Sequence, residues 1–196
     1  MQLHRLGGVK SNVSDGAPLV ILIGMPRSGT TWLGRILDSH PETLLRHEPD
    51  TVDRGAYSFI PDGTSEAETA RAHLDRLATN RSLKACGSRP FFPKTYRGWV
   101  SQRARNALVA GGKLCETLGA TPVRKLSVPD LAERYIPVIK SVSLGRAQLW
   151  ATARPDATHI HLLRHPCGQI NSTLRGKARG HLPPDVFLDF AECTMG

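Results

Sequence analysis

The chain has 196 residues, which is the usual size of one domain, so we predict a single domain over residues 1–196. A hydrophobic fraction of 40% with 22% charged residues is close to the globular average and excludes disordered, collagen-like and coiled-coil classes. The 26 Lys and Arg residues outnumber the 17 Asp and Glu residues, and the net charge of +9 indicates an anionic partner: a nucleotide, a nucleic acid, an acidic glycan or a membrane surface.

Cysteine usage and apolar patterning indicate the compartment. The longest apolar run, residues 18–24, is far shorter than the roughly 20 residues of a bilayer-spanning helix. Residues 1–17 lack the pattern of a secretory signal, and we expect them to form a flexible segment. We therefore expect a cytoplasmic protein with no transmembrane segment. Free thiols in a reduced compartment are expected for four separated cysteines without a C-x-x-C pair: Cys86, Cys115, Cys167 and Cys193.

The first predicted strand is the apolar run at residues 19–23, closed by Gly24. Continuous β-branched and leucine residues are typical of a strand buried on both faces, so we place it at the centre of a parallel sheet. A loop rich in glycine and serine follows. The spacing of Trp32, Ile36 and Leu37 then predicts a helix from Thr31 to just before His40.

The remainder of the chain alternates predicted helices with two further strands. A capping-box pattern at residues 65–68 predicts a helix that ends near Ala78, and residues 82–97 are predicted to be a loop. The other predicted elements are helices at 100–118, after Pro129, at 145–153, at 166–179 and at 185–193, and strands at 136–142 and 158–163. This alternation predicts an α/β fold of three layers, with a central parallel sheet and helices on both faces.

Residues 24–31, GMPRSGTT, have the spacing of a phosphate-binding P-loop, with Thr30 at the position of the usual lysine. A strand precedes the loop and a helix follows it, as a P-loop requires. Backbone N–H groups of such a loop, together with the positive end of the helix, bind an anionic phosphate, and Arg27 supplies a charge in place of the lysine. The alternative is a tight strand-to-helix turn that needs glycine for its geometry alone.

A P-loop ATPase, GTPase or kinase normally uses the missing lysine, together with a carboxylate at the end of a neighbouring strand. Here the predicted strand at 158–163 is followed by Arg164 and His165. A nucleotide or small-molecule kinase is therefore the weaker alternative.

Residues 24–33 resemble the 5′-phosphosulfate loop of the P-loop sulfotransferase family, P-[KR]-S-G-[ST]-[ST]-x-[LM]. Residues 163–172, which we call the second motif, are similar to the 3′-phosphate motif of the same family, R-[DN]-[PA] with a serine eight residues after the arginine. His165 and Cys167 depart from the usual residues of that motif. The resemblance covers about residues 19–180.

The resemblance implies a nucleotide donor, 3′-phosphoadenosine 5′-phosphosulfate (PAPS), whose sulfonyl group passes to an acceptor, and it implies no metal. Trp32 matches the tryptophan that stacks on the adenine in cytosolic members, the alternative being an ordinary buried helix residue. The donor-binding residues implied are Arg27, Ser28, Gly29, Thr30 and Thr31 for the phosphosulfate, and Arg164 and Ser172 for the 3′-phosphate. Arg175 and Lys177 extend this basic surface, or form a plain charged helix face.

The catalytic base of the cytosolic small-molecule branch is the histidine of a K-T-H segment, which Val142 replaces here. The carbohydrate and tyrosyl-protein branches place a glutamate shortly after the first helix, and Glu48 lies at the corresponding distance, so the chain resembles these branches more closely. The positive end of the loop should lower the pKa of Glu48. Glu48 is therefore the predicted general base, the alternative being an exposed surface carboxylate.

Arg27 and Lys140 belong with Glu48 to the predicted catalytic group. His47 is the alternative base, and because adjacent residues of an extended segment face opposite ways, we expect only one of the two to point into the site. Lys140 matches the lysine of K-T-H, which neutralises charge on the sulfonyl group, the alternative being a solvated lysine. A metal site at His159, His161 and His165 lacks an acid or a cysteine to complete it.

The function predicted is sulfonyl transfer to an unidentified hydroxyl of a carbohydrate, a protein tyrosine or a small molecule. A basic nucleic-acid-binding domain is disfavoured by the aromatic fraction of 6%. Family domains usually continue with further helices, so we expect the chain to be short at its C-terminal end, and a catalytically incomplete fragment is a further alternative. The oligomeric state is not predicted.

Overall fold

A computed structural model describes residues 18–55, 66–118 and 135–180. Three predicted elements lie outside the described residues: the N-terminal segment 1–17, the short helix after Pro129 and the helix at 185–193.

A sheet of four parallel strands forms the centre of the structure. Its strands are β1 (Val20–Ile23), β2 (Thr43–His47), β3 (Ile136–Ser141) and β4 (Thr158–His161), in the order β2-β3-β1-β4. The helices are α1 (Thr30–Ser39), α2 (Ala67–Ala78), α3 (Leu83–Cys86), α4 (Trp99–Thr117), α5 (Ala147–Ala153) and α6 (Pro166–Ala178). The predicted α/β fold is confirmed, with β1 in an interior position between β3 and β4.

Helices cover both faces of the sheet, which gives three layers. On one face, Ile21 and Ile23 pack with α2 and α5, where the indole of Trp150 is fully buried. On the other face α1 lies close to the sheet because Gly34 has no side chain: a Cβ there would stand 3.2 Å from Leu45 Cδ1. Burial of these apolar side chains is the main term that holds the layers together.

Strand register aligns the ends that carry polar residues. Ile23, the last residue of β1, pairs with Ser141 on one side and with His161 on the other. His47, the last residue of β2, pairs with Lys140. Because all strands are parallel, the loops after β1, β2 and β3 leave the sheet at one edge, where α/β proteins usually bind ligands.

One strand and one α-helix were not predicted. β2 escapes detection because Arg46 interrupts its apolar pattern, yet the side chain is fully buried. Its guanidinium donates to Ala78 O at 3.0 Å, to Cys86 Sγ at 2.9 Å and to Tyr135 Oη at 2.8 Å, so the charge is hydrogen-bonded inside the protein. The predicted loop at 82–97 contains α3, whose N-terminus is capped by the Ser82 hydroxyl.

Helix starts differ slightly from the predictions. α2 takes Glu66 as its N-cap residue without a capping hydrogen bond from that side chain, and Ser65 of the predicted capping box lies outside the described residues. A 3₁₀ turn at Leu144–Arg146 precedes α5. The predicted free thiols are confirmed for the three cysteines of the described part: Cys86, Cys115 and Cys167. Within the same part, no helix combines the length and apolar character needed to cross a bilayer.

Candidate active site

The loop between β1 and α1 curls as the P-loop spacing predicts. Two of its residues have positive φ, 68° at Arg27 and 108° at Gly29, and Ser28 N donates to Met25 O at 3.0 Å. Gly24 is packed too tightly for a side chain, since a Cβ there would lie 2.7 Å from Leu162 O and 2.8 Å from Ser28 Oγ. The loop therefore holds a fixed, glycine-dependent concave shape.

Several donors of this loop are free to bind an anion. Gly29 is the N-cap of α1 and has no side chain to cap the helix, so the first N–H groups of the helix lack a side-chain acceptor. Ser28 Oγ is buried and has no hydrogen-bond partner among the described residues. A buried hydroxyl without a partner is costly, and a phosphate oxygen would satisfy it. The loop thus fits the phosphosulfate end of the predicted donor.

The second motif packs directly against the P-loop. Arg27 Nε donates to Ser172 Oγ at 3.2 Å, and Arg164 Nη1 donates to Arg27 O at 2.9 Å. Gln169, which no motif signals, also contributes, because its Nε2 donates to Pro26 O at 3.1 Å. Arg27 and Arg164 remain exposed to solvent. Two predicted donor-binding segments, far apart in sequence, therefore form one basic surface.

Glu48 and Lys140 form an ion pair beside this surface. The backbone N–H of Glu48 donates to Lys140 O at 2.8 Å, and the Lys140 ammonium donates to Glu48 Oε1. Lys140 is only 2% exposed and the Glu48 side chain 20% exposed. The alternatives of a solvated lysine and of an exposed surface carboxylate are therefore wrong.

The pKa of Glu48 is lowered, as predicted. Burial favours the neutral carboxyl, but the charge and hydrogen bond of Lys140, with the charge of Lys84, outweigh burial and lower the pKa. Lys84 Nζ lies 3.7 Å from Glu48 Oε2. The cause is thus a pair of lysines rather than the P-loop, and the carboxylate is ionised at neutral pH.

His47 lies beside Glu48 rather than facing away from it. Its Nε2 is 3.9 Å from Glu48 Oε1, so the two side chains do not face opposite ways, and which of them points into the site stays a prediction. The reason is that β2 ends at His47, and Glu48 takes a left-handed conformation with φ 46°. Burial and the charge of Lys140 lower the pKa of His47 to about 4, which keeps the imidazole neutral at pH 7.

Two carboxylates hold the segment that follows Glu48. Asp50 is 3% exposed and accepts hydrogen bonds from Ser141 Oγ at 2.7 Å and Ser143 Oγ at 2.6 Å. Asp53 accepts from Arg76 Nε at 3.1 Å. These bonds tie the segment to β3 and α2 and so fix the position of Glu48. The sequence gives no sign of them, because each joins residues that are distant along the chain.

A cleft of about 810 Å³ opens next to His47. Thr31 connects it to the P-loop, whereas its other walls come from α1, α3, the residues after α3, and α4. The cleft has basic residues in its lining that the sequence did not predict, because no motif marks them. The lining residues are Thr31, Arg35, His47, Lys84, Gly87, Ser88, Arg89, Ala110, Lys113, Leu114 and Thr117.

The remaining predicted residues lie around this region. Trp32 is 68% exposed, so the alternative of an ordinary buried helix residue is wrong, while its stacking on adenine stays a prediction. Arg175 is exposed on α6, and its role with Lys177 also stays a prediction. His159 Nε2 lies 2.8 Å from Arg154 O. Among the described residues, no three His, Cys, Asp or Glu side chains are grouped so as to hold a metal ion.

Comparison with known proteins bears on the resemblance. Neither the curated proteins nor the solved structures gave a significant match to the chain. The family model described as "Sulfotransferase family" matches residues 18–184, a span that includes the P-loop, Glu48, Lys140 and the second motif. That span is well over half of the 196 residues, and the chain therefore belongs to the sulfotransferase family.

Proposed function

We propose that this protein transfers the sulfonyl group of PAPS to an acceptor hydroxyl, with Glu48 as the general base. The observation that carries the proposal is a single polar edge of the sheet, where a lysine-free P-loop, the second motif and the Lys140–Glu48 pair lie together. The proposal includes the carbohydrate or tyrosyl-protein branch, since a valine follows Ser141 where the other branch has its histidine.

The donor site is proposed from groups that an anion would satisfy. The backbone N–H groups of Gly29, Thr30 and Thr31, with the hydroxyl of Ser28, would hold the phosphosulfate, and Arg27 would supply the charge that lysine gives elsewhere. Arg164 and Ser172 would hold the 3′-phosphate through a planar guanidinium and a hydroxyl. Once bound, the donor provides the sulfonyl group and a phosphate leaving group. Trp32 is exposed on α1, the helix that follows the P-loop, and is proposed to stack on the adenine.

Glu48 would accept the proton of the acceptor hydroxyl. As the acceptor oxygen forms its bond to sulfur, the bond between sulfur and the phosphate oxygen breaks, the proton moves to Glu48, and the bisphosphate leaves. A carboxylate with a lowered pKa is a weak base, so it accepts the proton late, when bond formation has made the hydroxyl acidic. Glu48 would contribute to catalysis because its carboxylate is ionised and held in a fixed position.

Lys140 is proposed as the second catalytic contributor. Its ammonium has three donors and is 2% exposed. It would place a positive charge where charge develops on the sulfonyl oxygens. The same contact keeps Glu48 ionised. His47, neutral at pH 7 and adjacent to Glu48, is the alternative acceptor of the proton.

The Glu48→Gln variant tests the base. Sulfonyl transfer from labelled donor to a panel of saccharide, phenol and tyrosine-peptide acceptors should fall by about 10²–10⁴-fold, the usual contribution of a general base. Affinity for the 3′,5′-bisphosphate should stay unchanged. Glu42→Gln is the matched control, because Glu42 is exposed on the same stretch of chain and should keep full activity. Full activity of Glu48→Gln would refute the assignment.

A further inference from the structure

The cleft beside His47 has a one-sided charge. Its lining includes four basic side chains and no acidic one within the part of the chain that the structure describes. Arg35 and Arg89 are exposed, and Lys84 keeps 30% of its side chain exposed while lying 3.7 Å from Glu48. Like charges gathered around one cleft raise the local concentration of anions. The cleft is therefore built to receive negative charge close to the base.

These cations are separate from the donor site. Thr31 is the sole lining residue, among those described, that belongs to the P-loop or the second motif. Arg27, Arg164 and Ser172 bond to one another outside this cleft. The donor thus has its own cations, and the cleft begins where the P-loop ends. An acceptor is the ligand that must reach both the P-loop and Glu48.

The uncharged residues of the cleft lining favour a saccharide over an aromatic acceptor. Ala110 and Leu114 are its apolar side chains, and within the described residues no Phe, Tyr or Trp ring lines the cleft. A phenolic ring gains its affinity from burying a large apolar surface, which this lining does not offer. Hydroxyls of Thr31, Ser88 and Thr117 instead suit the many hydroxyls of a sugar. The cleft volume of about 810 Å³ falls within the range of about 300–1,000 Å³ for small-ligand sites.

We infer that this cleft binds an anionic saccharide as the acceptor, a substrate class that rests on the proposed function. Carboxylate or sulfate groups of the saccharide pair with Arg35 and Arg89, whose guanidinium groups suit these planar or multidentate anions. Lys84 completes the anion site next to Glu48. The accepting hydroxyl is then the one that lies between the bound anion and the base.

The test measures binding rather than turnover. A uronic-acid tetrasaccharide is titrated into the full chain in a calorimeter, with and without saturating 3′,5′-bisphosphate. The methyl ester of the tetrasaccharide is titrated separately under the same conditions. Esterification removes the charge while adding no hydroxyl. Arg35→Gln and Arg89→Gln should each weaken binding of the acid by about threefold to tenfold, as expected for one charge pair at a solvent-exposed site, and should not change binding of the ester. Raising the salt should weaken binding of the acid alone.

Arg81→Gln is the matched control, since Arg81 is exposed near α3 but does not line the cleft. Binding of the ester as tightly as the acid would overturn the inference, as would loss of bisphosphate affinity in Arg35→Gln and Arg89→Gln. An acidic tyrosine peptide that binds in preference to the saccharide, dependent on the same two arginines, would also overturn it. Failure of the bisphosphate to bind would instead refute the proposed function, and the titration without bisphosphate still tests the cleft.

Discussion

Replacement of Lys140 by methionine isolates the ion pair at the centre of the site. Methionine fills a similar volume, but it removes the ammonium that is 2% exposed and donates to Glu48. The carboxylate of Glu48 then keeps Lys84, at 3.7 Å, as its nearest cation. Because burial favours the neutral carboxyl, we expect the pKa of Glu48 to rise from its lowered value in the Lys140→Met variant.

The expected loss of stability in Lys140→Met can be estimated from how deeply the ion pair is buried. Removing one partner of a fully buried ion pair costs about 3–5 kcal/mol. Glu48 keeps 20% of its side chain exposed, so we expect a loss of about 2 kcal/mol in the free energy of unfolding at neutral pH. Since the folded-state pKa of Glu48 is lowered, the pair stabilises the fold above the unfolded carboxyl pKa, and this contribution is lost as the pH falls through the folded-state pKa.

Urea unfolding of the wild type, Lys140→Met, Glu48→Gln and the double variant measures this coupling directly. The coupling energy should be about 2 kcal/mol near pH 7 and should shrink as the pH falls through the lowered folded-state pKa of Glu48. Lys94→Met is the control: Lys94 is also buried but pairs with Asp38, so its loss should destabilise the fold without coupling to Glu48. A coupling energy below about 0.5 kcal/mol at neutral pH, the range of an exposed pair, would refute the reasoning.

Three further variants, with Gly111→Ala as a control for the first, test the P-loop, a buried ion pair and the pKa of His47. Gly24→Ala should lower both stability and bisphosphate affinity, because its Cβ would meet backbone at 2.7 Å; Gly111→Ala, which has open space around it, should instead stabilise the fold by up to about 1 kcal/mol in urea unfolding. Arg154→Met should destabilise by about 2–3 kcal/mol, because the 1%-exposed guanidinium pairs with Asp75 at 2.8 Å, while calorimetry should find bisphosphate affinity unchanged; full stability would contradict this. His47 has a pKa of about 4, so as the pH falls the unfolded chain binds a proton at His47 before the folded protein does. Its contribution to stability therefore falls by up to about 1.4 kcal/mol per pH unit between about pH 6.5 and pH 4. His47→Gln should reduce the slope of stability against pH by this amount, leaving the part due to His73, and an unchanged slope would count against the lowered pKa.

The elements with strong local signals could be predicted from the sequence. β1, α1 and the P-loop follow from an apolar run, a glycine pattern and helical spacing, which are properties of neighbouring residues. β2 could not be predicted, since the burial of Arg46 depends on acceptors as far away as residue 135. The same distinction applies within the site. The spacing indicates Glu48 as a candidate base, but the lysine that holds it lies 92 residues further along the chain.

The cleft is the feature that could least be predicted from the sequence. Arg35, Lys84 and Arg89 belong to no motif, and only the packing of α3 and α4 near α1 brings them to one surface. The net charge of +9 predicts an anionic partner without assigning a location to the charge. The expectation that His47 and Glu48 face opposite ways was also wrong, because the alternation of side chains along a strand does not extend through a residue with φ 46°.

The measurement that tests the central claim most directly is calorimetric titration of the full chain with the 3′,5′-bisphosphate, which needs no knowledge of the acceptor. Saturable one-to-one binding is predicted, weaker by about tenfold or more in Arg164→Gln because the guanidinium–phosphate contact is lost. Glu48→Gln should bind like the wild type, and magnesium-ATP should not compete. No binding by folded protein, equal affinity in Arg164→Gln, or preferential binding of magnesium-ATP would contradict the account.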